Sequence, residues 1–344
     1  MIETGAQSPR LGLRQAGKSI GLVTLVAILC VAPFLGLSEY YTHVLIMIFL
    51  YVIYSSTYRF ILRTGQLHFG AHGFIGVGAY ACVLMVMRLG FSFWIALPLA
   101  GLAGALLAVA IGYPALRVKG AYFAIITWGF AESLRFLYMR VDDPFGGNSG
   151  LSQIPHPAPI PIPFLGAIDF SSMASWYFLG LILMVITLFI LYRLEKSRFG
   201  LIYSSIREAD NLAKAVGINI MRYKVFAFAI CSGLAAIAGS FFAHYSGFIS
   251  PHSFVVLLTI SLGIYVTVGG LKAFSGPIVG ALFLVVAGEF FAQYGFYKIM
   301  LYAGLMIITI LFVPDGIVGL PRTVVSAVTR LRKRREAAAE YGAS

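Results

Sequence analysis

Apolar runs dominate this chain and leave it few folds to choose from. Ten of them fall at about 20–37, 42–58, 66–87, 92–112, 121–138, 175–192, 225–243, 254–271, 277–293 and 299–313. Runs of this kind are long enough to cross the ~30 Å hydrocarbon layer of a bilayer as helices. Composition closes the soluble alternative: 60% of the 344 residues are hydrophobic, 11% are charged, and the mean hydropathy is +0.90. Soluble domains carry about a quarter charged residues, and a core of this size cannot hide so much apolar surface from water. The expected fold is an all-α integral membrane protein of about ten transmembrane helices, with room for broken or re-entrant segments.

Ten crossings place both termini on one side. Basic residues collect on the cytoplasmic side of such proteins. With the N-terminus inside, only Arg88, Arg135, Arg140 and Lys298 of the 25 Lys and Arg residues face outward. The formal charge of +12 is therefore topological and implies no nucleic acid. This organisation predicts a cytoplasmic tail at 1–19, a transmembrane domain at 20–314 and a basic cytoplasmic tail at 315–344. Two connections are long: a periplasmic loop, 139–174, and a cytoplasmic loop, 193–224. The first contains proline at alternate positions from Pro155 to Pro163, which favours an extended path. The first run follows a basic segment but has no A-x-A cleavage site, so an uncleaved span is expected.

Motifs for soluble chemistry fail on context. Gly12–Ser19 fits a phosphate loop, yet no strand precedes it and a span begins at the next residue. The five glycines of GQLHFGAHGFIGVGAY, at 65–80, sit in or at the mouth of a span. Close helix packing is their commoner use; lining a cavity is the other. His68 and His72 share a helical face at i, i+4, without the further ligands zinc requires, and no metal site is expected. Cys30, Cys82 and Cys231 are scattered and form no disulfide framework. Glu132 and Glu289 are the carboxylates inside apolar runs, which makes them functional candidates; Arg135 lies three residues from Glu132, within reach of a local pair. No paired acid–base set points to catalysis.

The polar stretch SSIREADNLAKAVGINIMRYK begins at Ser204. Ser205 and Glu208 have capping-box spacing. Ile206, Ala209, Ala213 and Val216 repeat at helical intervals, and Gly217 suits a left-handed stop. The pattern predicts one amphipathic helix over 206–216. It serves either to dock in a partner's groove or to pack on its own bundle or the lipid surface.

Five ordered blocks carry a resemblance that covers about 42–320. They are GQLHFGAHGFIGVGAY (65–80), PALRVKGAYFAIITWGFAESLRF (114–136), GGNSGL (146–151), SRFGLIYSSIREADNLAKAVGINIMRYKVFAFAI (197–230), and SGFISPHSF (246–254) leading into VGGLKAFSGPIVGA (268–281). The chain resembles the inner-membrane permease subunits of branched-chain amino acid ABC importers, of the LivM-like type. The resemblance implies uptake by alternating access, a second, LivH-like permease, two cytoplasmic ATPases that bind the ATP, a periplasmic binding protein, and no cofactor in this chain. Related importers of urea or small amides share the type; an ion-coupled carrier is the more distant alternative. It implies ATPase coupling through Ser205, Arg207, Glu208, Ala209, Ala213 and Gly217. A substrate pathway past Gly65, Gln66, Trp128 and Phe130 follows, with Glu132 and Glu289 near the periplasmic entrance. Gly146, Gly147 and Gly150 are implied in docking the binding protein. Asp210 stands where the coupling motif has its second alanine, and Ala71 where many relatives carry His or Gln.

Overall fold

The computed structural model describes residues 38–118, 120–162, 166–313 and 316–320. The expected first span, the tail 1–19 and all of the tail 315–344 except 316–320 lie outside these residues. Within them the helices are α1 (Glu39–Arg63), α2 (Ala71–Met87), α3 (Phe93–Ala115), α4 (Ala121–Arg140), α5 (Met173–Lys196), the short α6 (Arg198–Glu208) and α7 (Asp210–Ala215), α8 (Ile220–Ser246), α9 (Val256–Gly269), α10 (Gly276–Ala292) and α11 (Lys298–Phe312). Each apolar run within the described residues is thus helical. By length and composition, α1, α3, α5, α8 and the stretch Pro251–Gly269 are sufficient to cross a membrane. Helices α2 and α10 have 17 residues each, about 26 Å at 1.5 Å per residue.

Helix α1 is the hub. It begins with Glu39 and ends with Arg63, charges that suit the positive and negative ends of a helix dipole. It is buried along most of its length against α5, α8, α9 and α10. Helix α8 is the second axis and lies against α2 and α3. Their contact is made by small residues that let backbones approach closely. A Cβ built on Gly104 would come 2.6 Å from the Ala236 methyl, and one on Gly78 would strike the Ala236 backbone. Of the glycines in the 65–80 block, Gly70 and Gly73 abut α4, Gly76 abuts Phe254 and Gly78 abuts α8. Helix packing accounts for them.

The third expected span starts late. Residues 66–70 are not helical, and α2 begins at Ala71. The chain turns at Gly65, whose φ of +79° is a left-handed conformation that glycine adopts without strain. It then runs through buried His68, ringed by Tyr58, Phe74, Phe123 and Phe228.

The two ends of the bundle differ in charge. Arg59 and Arg63 at the end of α1 meet Glu195 at the end of α5, beside Leu271 and Lys272 after α9. This basic end also carries the 193–224 loop. At the opposite end Tyr40 donates to Glu289 at 2.7 Å, and Arg88 pairs with Asp143. There the long loop folds into two small antiparallel pairs. β1 (Leu151–Ser152) joins β4 (Phe248–Ile249), while β2 (Ile160–Ile162) and β3 (Gly166–Ile168) form a ribbon. The proline-rich stretch is extended, as its composition requires. Helices α3, α4 and α11 expose apolar side chains, among them Leu106, Ile125 and Leu311, a surface suited to lipid or to another protein rather than to water.

Candidate functional site

At the basic end the expected single helix over 206–216 is two helices. The first starts at Ser197, not Ser205: the Ser197 hydroxyl accepts from the Phe199 N–H at 3.2 Å. Ser205 lies inside α6 and donates to the Leu201 carbonyl at 3.1 Å, so no capping box forms with Glu208. The earlier start arises because Phe199, Tyr203 and Ile206 form an apolar stripe; Tyr203 and Ile206 are buried, and Phe199 and Tyr203 meet Tyr223 of α8 edge to face. Glu208 is then the last residue of α6. The chain breaks at Ala209, with φ −154° and ψ 84°, which places Asp210 3.4 Å from Lys224. Gly217 is the expected stop. Its φ is +83°, and the bonds from Gly217 to Lys214 and from Ile218 to Ala213 are those of a Schellman motif. Ala213 is buried, whereas Leu212 and Val216 are 70% and 77% exposed. Val216 therefore does not continue the packed stripe.

Gly65 and Gln66 lie beside these helices. With Thr64, Gly120, Ile206, Arg207, Asp210 and Lys224 they line a cavity of about 240 Å³. Two expected pathway residues and one expected coupling residue thus share one space. Arg207 is close: its Cα lies 3.6 Å from a Cβ built on Gly65. Gln66 is buried, and among the described residues its Oε1 has no hydrogen-bond partner.

Deeper in the bundle, the N-terminus of α2 is satisfied by threonines of other helices. Thr127 of α4 accepts from the Phe69 N–H at 3.2 Å, and Thr259 of α9 accepts from the His72 N–H at 3.0 Å. Thr259 Oγ1 also lies 2.9 Å from His72 Nδ1. With the Thr259 hydroxyl assigned as the donor to Nδ1, His72 is the Nε2–H tautomer. This nitrogen faces Glu132 Oε1 at 3.8 Å. Glu132 in turn receives Arg135 Nε at 2.6 Å, the local pair expected from their spacing. Thr259→Val keeps the shape but orphans the His72 N–H and ring nitrogen; it is expected to cost about 1–3 kcal/mol. Thermal melting of the detergent-solubilised protein checks this, with Thr267→Val as control, since exposed Thr267 bonds only within its own helix. Equal melting of the two variants would refute the role of Thr259.

The remaining expected residues are dispersed. Trp128 is exposed on α4, and Phe130 packs against Phe74. Glu289 is engaged by Tyr40 at the opposite end. Gly146, Gly147 and Gly150, all at positive φ, shape the turn that brings Asn148 Oδ1 to 2.8 Å from His252 Nε2.

Residues 40–311 match the family described as branched-chain amino acid transport system / permease component. The chain belongs to this family. It is 31% identical over 319 residues to the high-affinity branched-chain amino acid transport system permease protein LivM of Salmonella typhimurium, covering 88% of this chain and 75% of that protein. Identity to LivM of Escherichia coli is 32% over 282 residues, 75% of this chain and 65% of the relative's length. The permease protein LivH of Salmonella typhimurium is 28% identical over 160 residues, 46% of this chain and 50% of that protein.

Residue order alone does not single out several residues of this permease. It gives Arg59 and Lys224 only the role of orientation charges, and it passes over Thr259 and Glu195. Their partners lie at long separations, such as 187 residues from His72 to Thr259 and 136 from Arg59 to Glu195. A threonine within an apolar run gives no local signal. A buried arginine in an apolar helix does, because it demands a partner.

Proposed function

We propose that this chain is a permease subunit of an ABC importer that takes up branched-chain, hydrophobic amino acids by alternating access, driven by partner ATPases. The observation that carries the reading is the family match over 40–311. In this reading ten spans cross the cell inner membrane, the basic end is cytoplasmic, and both termini lie there. A LivH-like permease completes the passage, two ATPases hold the ATP, and a periplasmic binding protein delivers the substrate onto the loop shaped by Gly146, Gly147 and Gly150. This chain performs no covalent chemistry. Trp128, Phe130, Glu132 and Glu289 belong to the pathway, and Gly65 and Gln66 to its cytoplasmic end.

Helices α6 and α7 form the coupling element, with Ser205, Arg207, Glu208, Ala209, Ala213 and Gly217 as its working residues. Exposed Leu212 and Val216 support this, because apolar side chains on a polar loop suit a partner's groove better than water. The ion pair from Asp210 to Lys224 ties α7 to α8, so a push on α7 reaches the helix that packs α2 and α3. Co-purification with the ATPase subunits and leucine uptake test the reading. Gly217→Leu forces a side chain into a left-handed conformation costing about 1–2 kcal/mol, and Glu208→Arg reverses a surface charge. Both are expected to weaken ATPase association and uptake together; full association and uptake in both variants would refute the coupling assignment.

A further inference from the structure

Glu132 and Arg135 carry opposite charges in the body of α4. At 1.5 Å per residue, Glu132 lies ~16 Å from the start of the helix at Ala121 and ~12 Å from its end at Arg140. Charges at that depth are costly against lipid and belong on a protein-lined or aqueous passage. Both side chains keep an open edge, at 19% and 17% exposure. Trp128, one turn before Glu132, and Phe136, beneath the Arg135 guanidinium at 4.9 Å, are exposed on the same flank.

The pair is unsaturated. Arg135 gives Glu132 one bond, from Nε to Oε2, and turns Nη1 to the Met139 sulfur at 3.2 Å, a weak acceptor. Glu132 Oε1 meets His72 Nε2 at 3.8 Å, beyond hydrogen-bond range, and among the described residues that buried nitrogen has no partner. One carboxylate oxygen and one guanidinium edge are therefore left for a ligand with both charges.

We infer that Glu132 and Arg135 form a subsite that reads the backbone charges of the passing amino acid. Glu132 takes the ammonium, the Nη edge of Arg135 takes the carboxylate, and Trp128 and Phe136 border the apolar side chain. An α-amino acid closes the pair into a neutral quartet of charge-assisted bonds, whereas an uncharged amide does not, and a simple ion leaves one charge unmatched. This subsite rests on the importer reading and names the chemical class that the passage selects.

The test uses the whole importer, with its partner permease, ATPases and binding protein, in proteoliposomes. Leucine uptake and ATP hydrolysis are measured together. Glu132→Gln and Arg135→Lys are expected to raise the ATP hydrolysed per leucine delivered by about tenfold or more, the effect of losing one hydrogen bond to a charged group. An unchanged ratio in Arg135→Lys, which keeps the charge and loses the two-pronged edge, overturns the subsite even where Glu132→Gln fails to assemble. A parallel fall of uptake and hydrolysis with no change of ratio also overturns it, as that marks a structural pair. Wild-type importer that carries urea and no amino acid overturns the importer reading and the subsite together.

Discussion

Arg59→Met is expected to destabilise the folded chain by about 3–5 kcal/mol, the range for removing one partner of a buried ion pair. Arg59 is 2% exposed, and its guanidinium grips Glu195 with two bonds, Nη1 to Oε2 at 2.9 Å and Nη2 to Oε1 at 3.3 Å. Its Nε donates to the Leu271 carbonyl at 2.9 Å. One side chain thus joins α1, the end of α5 and the connection after α9. Methionine fills much of the volume but leaves Glu195 with Arg63 alone and the Leu271 carbonyl without its donor. Thermal unfolding in detergent is expected to fall by several degrees, since about 1 kcal/mol moves the midpoint by ~2–4 °C in proteins of about 150–250 residues and by less in longer ones. Adding Glu195→Leu is expected to recover part of the loss, because an apolar pair avoids an uncompensated buried charge. A melting point equal to the parent's would show that the clamp contributes nothing. Because Glu195 closely precedes α6, the single variant is also expected to loosen α6 and α7 and, if these helices couple to the ATPases as proposed, to lower uptake.

Gly78→Val is expected to disrupt the α2–α8 pair. The Cβ would overlap the carbonyl oxygen, carbonyl carbon and Cα of Ala236, which are backbone atoms and cannot rotate away. The helices must separate, breaking the bond from Ser240 Oγ to the Gly78 carbonyl at 2.8 Å. Overpacking of this kind costs about 1–3 kcal/mol or more, and in a membrane, close backbone packing is a main source of helix association. Gly129→Ala is the control: no atom of the described residues lies within 4 Å of its Cβ, and alanine in a helix gains about 0.5–1 kcal/mol over glycine. Monodisperse size-exclusion profiles and melting curves distinguish the two. A Gly78→Val protein that elutes and melts like wild type would refute the packing account.

Much of the architecture is legible in residue order. Hydropathy locates every apolar helix among the described residues, and the segregation of Lys and Arg agrees with the two unlike ends of the bundle. The spacing of Glu132 and Arg135 foretells their pair, and Gly217 foretells its stop. Local rules fail where a distant partner competes with them. Ser205 and Glu208 satisfy the spacing of a capping box, yet Tyr203 and Ile206 packing on the bundle pull the helix start back to Ser197. Residues 66–70 look like the opening turn of a span, but Thr127 and Thr259 offer the N–H groups of Phe69 and His72 other acceptors, so the helix begins later.

Bilayer energetics operate on the chain segment by segment: an apolar run must satisfy its own backbone bonds, and only a helix does so locally. The sequence by itself therefore determined the class and the positions of the described apolar helices. Tertiary structure alone decided which glycine meets which backbone, which threonine closes a distant helix and whether a carboxylate keeps a free oxygen. Each of those outcomes depends on groups that only packing brings within a few ångströms of one another, many of them from more than a hundred residues apart.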